Sequence, residues 1–124
     1  MKIVFDSYAW IEYFHGSRQG LQVEKYLSEE VYTPSIILLE LSCRFAREGT
    51  VFKKFLSFIT AHSIITNFDD ALIEHIGDVY AERRKTARDF SLPDAVVLST
   101  ARKLGAKVLT GDKHFKDIPE AILL

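Results

Sequence analysis

The stretch LPDAVVLSTARKLGAKVLTGDKHF, Leu92 to Phe115, reads as a helix, a tight turn, a strand and a polar loop. Pro93 fits the first turn of a helix, where its missing N–H is not needed. Ala95, Val96, Val97, Leu98, Ala101 and Leu104 give that helix a broad apolar face. Arg102 and Lys103 sit in the last turn, where the dipole favours cations, and Gly105 is placed to cap it. Lys107–Thr110 follows as a short buried strand, stopped by Gly111 and Asp112. Asp94 thus opens the helix and Asp112 closes the next strand, which can bring both carboxylates to one edge of a sheet.

Working outward, Lys2–Phe5 reads as a strand buried on both faces, as in a parallel sheet. A short helix over Ala9–Phe14 and a second to about Glu29 lead to a strand at Val31–Thr33, closed by Pro34. Ser35 is expected to N-cap a helix running from Ile36 to about Arg47. An amphipathic helix then carries Val51, Phe52, Phe55, Leu56, Phe58 and Ile59 on one side. A strand follows at Ser63–Thr66, and Asp69 or Asp70 opens a long helix towards Arg88. Ile122–Leu124 reads as a short edge strand. Strands alternating with helices predict an α/β fold around a mainly parallel sheet, with sites beyond the carboxyl ends of the strands. Asp6 and Asp112 both stand there.

The 124 residues suffice for one domain with a sizeable core, 1–124. A net charge of -1 provides no global basic field, so any nucleic-acid contact must come from a local patch. Cys43 is the only cysteine, which excludes an internal disulfide and leaves it as a small buried hydrophobe. Neither a signal peptide nor a membrane span is recognisable, so a cytoplasmic protein without membrane contact is expected.

Glu40 interrupts the apolar run Ile36–Leu41, where a carboxylate is costly unless paired, hydrogen-bonded or bound to a cation. Taken singly, Glu40 reads equally as a salt-bridge partner, Asp6 and Asp112 as turn formers, and Asp94 as a first-turn residue stabilised by the helix dipole. Together they form a set of strand-end, helix-start and apolar-run carboxylates that would repel one another without a cation. Oxygen ligands alone select a hard metal, Mg2+ or Mn2+. The chemistry that follows is metal-assisted phosphodiester hydrolysis.

Asp6 after the first strand, Glu40 after Pro34, Leu92-Pro93-Asp94-Ala95, and Leu109-Thr110-Gly111-Asp112-Lys113-His114-Phe115 resemble the PIN-domain ribonucleases. Trp10-Ile11-Glu12-Tyr13-Phe14 with Gly16 and Gly20 looks like the VapC-type toxins of toxin–antitoxin pairs within that family. The resemblance covers essentially the whole chain. It implies a three-layer α/β/α sandwich and a Mg2+- or Mn2+-dependent endoribonuclease. Asp6, Glu40, Asp94 and Asp112 would form the acidic metal site, and Thr110 matches the small hydroxyl residue beside it. Asp117 reads as surface. Many relatives carry Ser or Asn two residues after the first Asp, where this chain has Tyr8; Ser7 is adjacent. The subgroup also implies a homodimer and a cognate antitoxin.

For the RNA, Arg83, Arg84, Lys85 and Arg88 form either a phosphate-binding cluster or a solvated helix end. Lys113 and His114 form a second cluster beside Asp112. His114 is open to a phosphate or leaving-group contact or to a plain loop role. His15, His62 and His75 lack metal-ligand spacing. Phe52, Phe55 and Phe58 fit core or dimer packing better than base stacking, and Trp10 and Tyr13 fit either an antitoxin groove or packing. The rivals are an RNA-processing nuclease outside a toxin–antitoxin pair, a non-catalytic PIN-like module, an aspartyl-phosphate phosphatase and a receiver-like domain. Tyr8 stands where the phosphatase needs its second Asp. Asn67 follows the strand where the receiver needs its acceptor.

Overall fold

The computed structural model describes residues 1–124. The elements run β1 (Lys2–Phe5), α1 (Ser7–His15), α2 (Arg18–Glu24), β2 (Glu30–Pro34), α3 (Ser35–Arg47), α4 (Lys53–His62) and β3 (Ile64–Thr66). They continue with α5 (Asp70–Arg84), α6 (Leu92–Leu104), β4 (Lys107–Thr110), a 3₁₀ turn (Lys113–Phe115) and β5 (Ala121–Leu123). The strands form one sheet in the order β3-β2-β1-β4-β5, and every pairing is parallel.

This order decides where a site can form. The chain steps from β1 to β2 to β3, then crosses back to place β4 on the far side of β1. Right-handed crossovers therefore put α1–α4 on one face and α5–α6 on the other, giving an α/β/α sandwich. The direction reverses between β1 and β4, so the crevice beyond their carboxyl ends is a topological switch point. Asp6 follows β1 there and Asp112 follows β4.

The two central strands carry the core. Ile3, Val4, Phe5, Val108 and Leu109 are wholly buried, as expected for strands covered on both faces. In α6 every residue from Ala95 to Ala101 is buried, and the helix packs on β1, β2, β4 and α5. Ser91 and Asp94 form a reciprocal capping box at its start, and Gly105 ends it at φ 65°, the left-handed cap that glycine adopts without strain. On the other face Trp10 stacks on Phe14 at 5.7 Å and Tyr13 on Phe58 at 5.4 Å. Phe55 packs 4.8 Å from Phe14 and 4.9 Å from Phe45. These aromatics are packing residues.

The structure differs from the sequence reading at several points. Cys43 is exposed: α3 buries Ile37, Leu41 and Phe45, and Cys43 lies off that stripe. The N-cap of α3 is Pro34 with no side-chain cap, and Ser35 is already helical. The second helix stops at Glu24, where turn hydrogen bonds from Tyr26 and Leu27 take over. The long helix α5 ends at Arg84 instead of Arg88. Val51 points to solvent, 76% exposed, just outside α4.

Candidate active site

Each of the three aspartates is placed by a helix start. Asp6 N-caps α1, its Oδ1 accepting the Ala9 N–H at 2.9 Å. Asp94 Oδ2 accepts the Ser91 N–H at 2.9 Å in the capping box of α6. Asp112 Oδ1 accepts the His114 N–H at 2.9 Å and starts the 3₁₀ turn. Capping fixes each side chain and leaves Oδ1 of Asp94 and Oδ2 of Asp112 with no protein donor. Glu40 arrives from the middle of α3, half-buried.

Asp6, Glu40, Asp94 and Asp112 all line one cavity, together with Tyr8 and Arg44. Thr110 is buried behind them, accepting the Asp112 N–H at 2.9 Å while its hydroxyl adjoins Asp6. None of the four carboxylates pairs with a lysine or arginine; Arg44 turns instead to Glu48 at 2.9 Å.

The charge therefore has no fixed cation against it, only the His114 imidazole beside Asp94 and Asp112. Burial pushes the Asp6 carboxyl up to about 7, with Asp94 and Asp112 adding repulsion and the Thr110 hydroxyl and Ala9 N–H only partly opposing it. Glu40 is raised by burial and then by Asp94, and Asp94 by burial and then by Asp112. A fold that gathers such groups without a lysine or arginine partner suits a divalent cation. The oxygen donors fit Mg2+ or Mn2+.

His114 belongs to this constellation more closely than its loop position suggested. Its Nδ1 lies 3.1 Å from Asp112 Oδ1 and 3.5 Å from Asp94 Oδ2. Asp94, Asp112 and His114 are the group whose ligand-capable atoms all fall within 4.8 Å of one another. Asp6 and Glu40 line the same cavity as Asp94 and Asp112 but do not join that group. The structure thus brings Asp94, Asp112 and the His114 imidazole to ligand distance, with Asp6 and Glu40 elsewhere on the cavity wall. The sequence signal for this was the Asp-x-His spacing: an Asx turn folds the third residue back over the first. The proposed basic cluster fares differently. Arg83 pairs with Asp117 at 2.8 Å and Lys85 with Glu82, so Arg84 and Arg88 stay exposed without an ion pair, Arg84 donating to the Phe90 carbonyl.

The PIN domain model matches residues 3–121. The chain belongs to the PIN-domain family. Among solved structures it is similar to VapBC2 from Rickettsia felis bound to a promoter DNA fragment, at 19% identity and TM-score 0.76, covering 100% of this chain and 98% of that one. It is similar to a toxin–antitoxin complex from Klebsiella pneumoniae at 21% identity and TM-score 0.73, covering 97% and 95%. The sarcin-ricin loop cleaving toxin VapC20 of Mycobacterium tuberculosis aligns at 18% identity and TM-score 0.73, covering 94% and 95%. At these identities the likeness is one of fold. No curated protein matches by sequence. In this PIN domain the acidic cavity lies at the switch point of the sheet, and no helix is long and apolar enough to cross a membrane.

Proposed function

We propose that this protein, a single PIN domain over residues 1–124, is a Mg2+- or Mn2+-dependent endoribonuclease that cuts single-stranded RNA, the toxin of a toxin–antitoxin pair. The observation that carries the reading is the convergence of Asp6, Glu40, Asp94 and Asp112 on one cavity without a lysine or arginine partner. The same four residues would hold the cation. A bound Mg2+ or Mn2+ supplies a Lewis acid and lowers the pKa of its water. The chain's own contribution is placement. Helix capping fixes Asp6, Asp94 and Asp112, and burial disfavours the charged forms of Asp6 and Glu40, a cost that a cation would relieve. Thr110 holds the Asp112 backbone against Asp6.

The toxin assignment is supported by the toxin–antitoxin complexes among the structural neighbours. It is supported also by an apolar groove beside Glu40, lined by Ile36, Leu39, Cys43 and Leu92 with Arg44 and Arg47 at its edge, which suits an antitoxin segment. A homodimer and a cytoplasmic location accompany that assignment.

The test is cleavage of mixed-sequence single-stranded RNA by the purified chain with Mn2+ or Mg2+, and again after chelation. Expected is metal-dependent cutting that leaves 5′-phosphate and 3′-hydroxyl ends and is lost in Asp94→Asn, whose amide oxygen still caps α6. Products with 2′,3′-cyclic phosphates, or full activity in the variant, would overturn the reading.

A further inference from the structure

Tyr8 lies two residues after Asp6, in the first turn of α1, and its side chain forms part of the wall of the acidic cavity. Its hydroxyl donates to Oε1 of Gln19, in α2, at 2.6 Å. Its ring lies against Gly111 so closely that a Cβ built there would overlap three ring atoms of Tyr8, the nearest atoms apart from those of the adjoining residues. Gly111 does not have a positive φ; only Gly16, Gly49 and Gly105 do. Backbone conformation therefore does not call for glycine at position 111. The Tyr8 ring does.

Gly111 joins the two residues that matter behind the cavity. Thr110 on one side adjoins Asp6 and accepts the Asp112 N–H, and Asp112 on the other faces the cavity. A ring pressed on the backbone between them, and tethered at its far end to a second helix, fixes how far Asp112 stands from Asp6.

We propose that Tyr8 is a positioning residue: its ring, anchored by Gln19, holds the Gly111 backbone so that Asp6 and Asp112 are spaced to share one divalent cation. The inference rests on the acidic cavity being a metal site. It differs from a purely structural role for the ring in predicting altered cation affinity.

The experiment titrates Mn2+, followed by electron paramagnetic resonance, into the full chain and into Tyr8→Phe, Tyr8→Ala, Gly111→Ala and the Tyr8→Ala/Gly111→Ala pair. Melting temperatures, kcat and KM for RNA cleavage are measured alongside. Tyr8→Phe keeps the ring and should bind Mn2+ within about threefold of the parent. Tyr8→Ala and Gly111→Ala should each weaken Mn2+ binding by about tenfold, the scale at which supporting groups tune metal sites, and lower kcat more than KM. The double variant should bind no worse than Tyr8→Ala alone, because the added methyl enters space the ring has left. Unchanged Mn2+ affinity in both single variants, or additive losses in the pair, would overturn the proposal. If the parent chain itself binds no Mn2+, the metal-site reading fails first and the proposal falls with it, a result distinguishable because it precedes any variant.

Discussion

Nδ1 of His114 sits 3.1 Å from Asp112 Oδ1, the same oxygen that accepts the His114 backbone N–H. The main chain holds this oxygen by a hydrogen bond, while the buried Nδ1 faces it at ion-pair distance without a hydrogen-bond partner of its own. The main-chain bond does not need the imidazole, so an alanine at this position isolates the ring. His114→Ala should reduce divalent-cation affinity and cleavage by roughly tenfold, at the low end of what groups supporting a metal site contribute. Loss below twofold in both measurements would make His114 a surface residue.

Much of this architecture was legible in the sequence for a physical reason. Uninterrupted apolar strands such as Ile3-Val4-Phe5 report burial on both faces, and burial on both faces implies a parallel sheet with helices across it. That places Asp6 and Asp112 at strand ends without further information. The exposure of Cys43 was not legible, because an apolar run on a helix does not say which stripe faces inward. Ile37, Leu41 and Phe45 form the buried stripe, while Leu39 is 66% exposed. The Tyr8–Gly111 contact was also hidden, since it joins residues far apart in the chain through a close approach that no local pattern encodes.

Stability should depend on pH in an unusual direction when metal is chelated. Asp6 titrates near the ordinary carboxylate value in the unfolded chain but at about 7 in the folded one. Between those values the folded state keeps a proton that the unfolded state has lost, so stability falls as pH rises from about 4 to about 7. Glu40 and Asp94, also raised by burial, act in the same sense. The loss is on the order of a few kcal/mol. A divalent cation should reverse it, raising the melting temperature more at pH 8 than at pH 5. A metal-free melting temperature that climbs between pH 5 and pH 8 would contradict the burial of charge at Asp6.

Two glycines should respond to alanine in opposite directions. A Cβ at Gly20 would overlap the Glu12 carbonyl, where α2 packs on α1. The backbone there has no flexible side chain to yield, so Gly20→Ala should cost about 1–3 kcal/mol, the usual range for overpacking. Gly77 lies inside α5 with nothing within 4 Å of an added Cβ. Gly77→Ala should stabilise by up to about 1 kcal/mol through helix propensity. Thermal melts of the two variants against the parent check both, and equal shifts would deny the close approach of α1 and α2.

Arg83 and Arg88 share one basic stretch of sequence but should behave differently towards RNA. The Arg83 guanidinium pairs with Asp117, stands 5.7 Å over the Phe90 ring, and has a side chain only 18% exposed. It ties α5 to the segment leading into α6 and to the loop after β4, so its first duty is structural. Arg88 is exposed and free of ion pairs, shortly before Asp94 in the chain. Arg88→Ala should leave the stability within about 0.5 kcal/mol of the parent, as a surface change does. It should also weaken single-stranded RNA binding across sequences and reduce the slope of log affinity against log salt by roughly 0.7, the loss of one phosphate contact. Arg83→Ala should lower the melting temperature and leave that slope unchanged once measured below the new transition. Salt-dependent binding to a short RNA in the catalytically silent Asp94→Asn background separates the two, and a slope change in Arg83→Ala but not in Arg88→Ala would reverse the assignment.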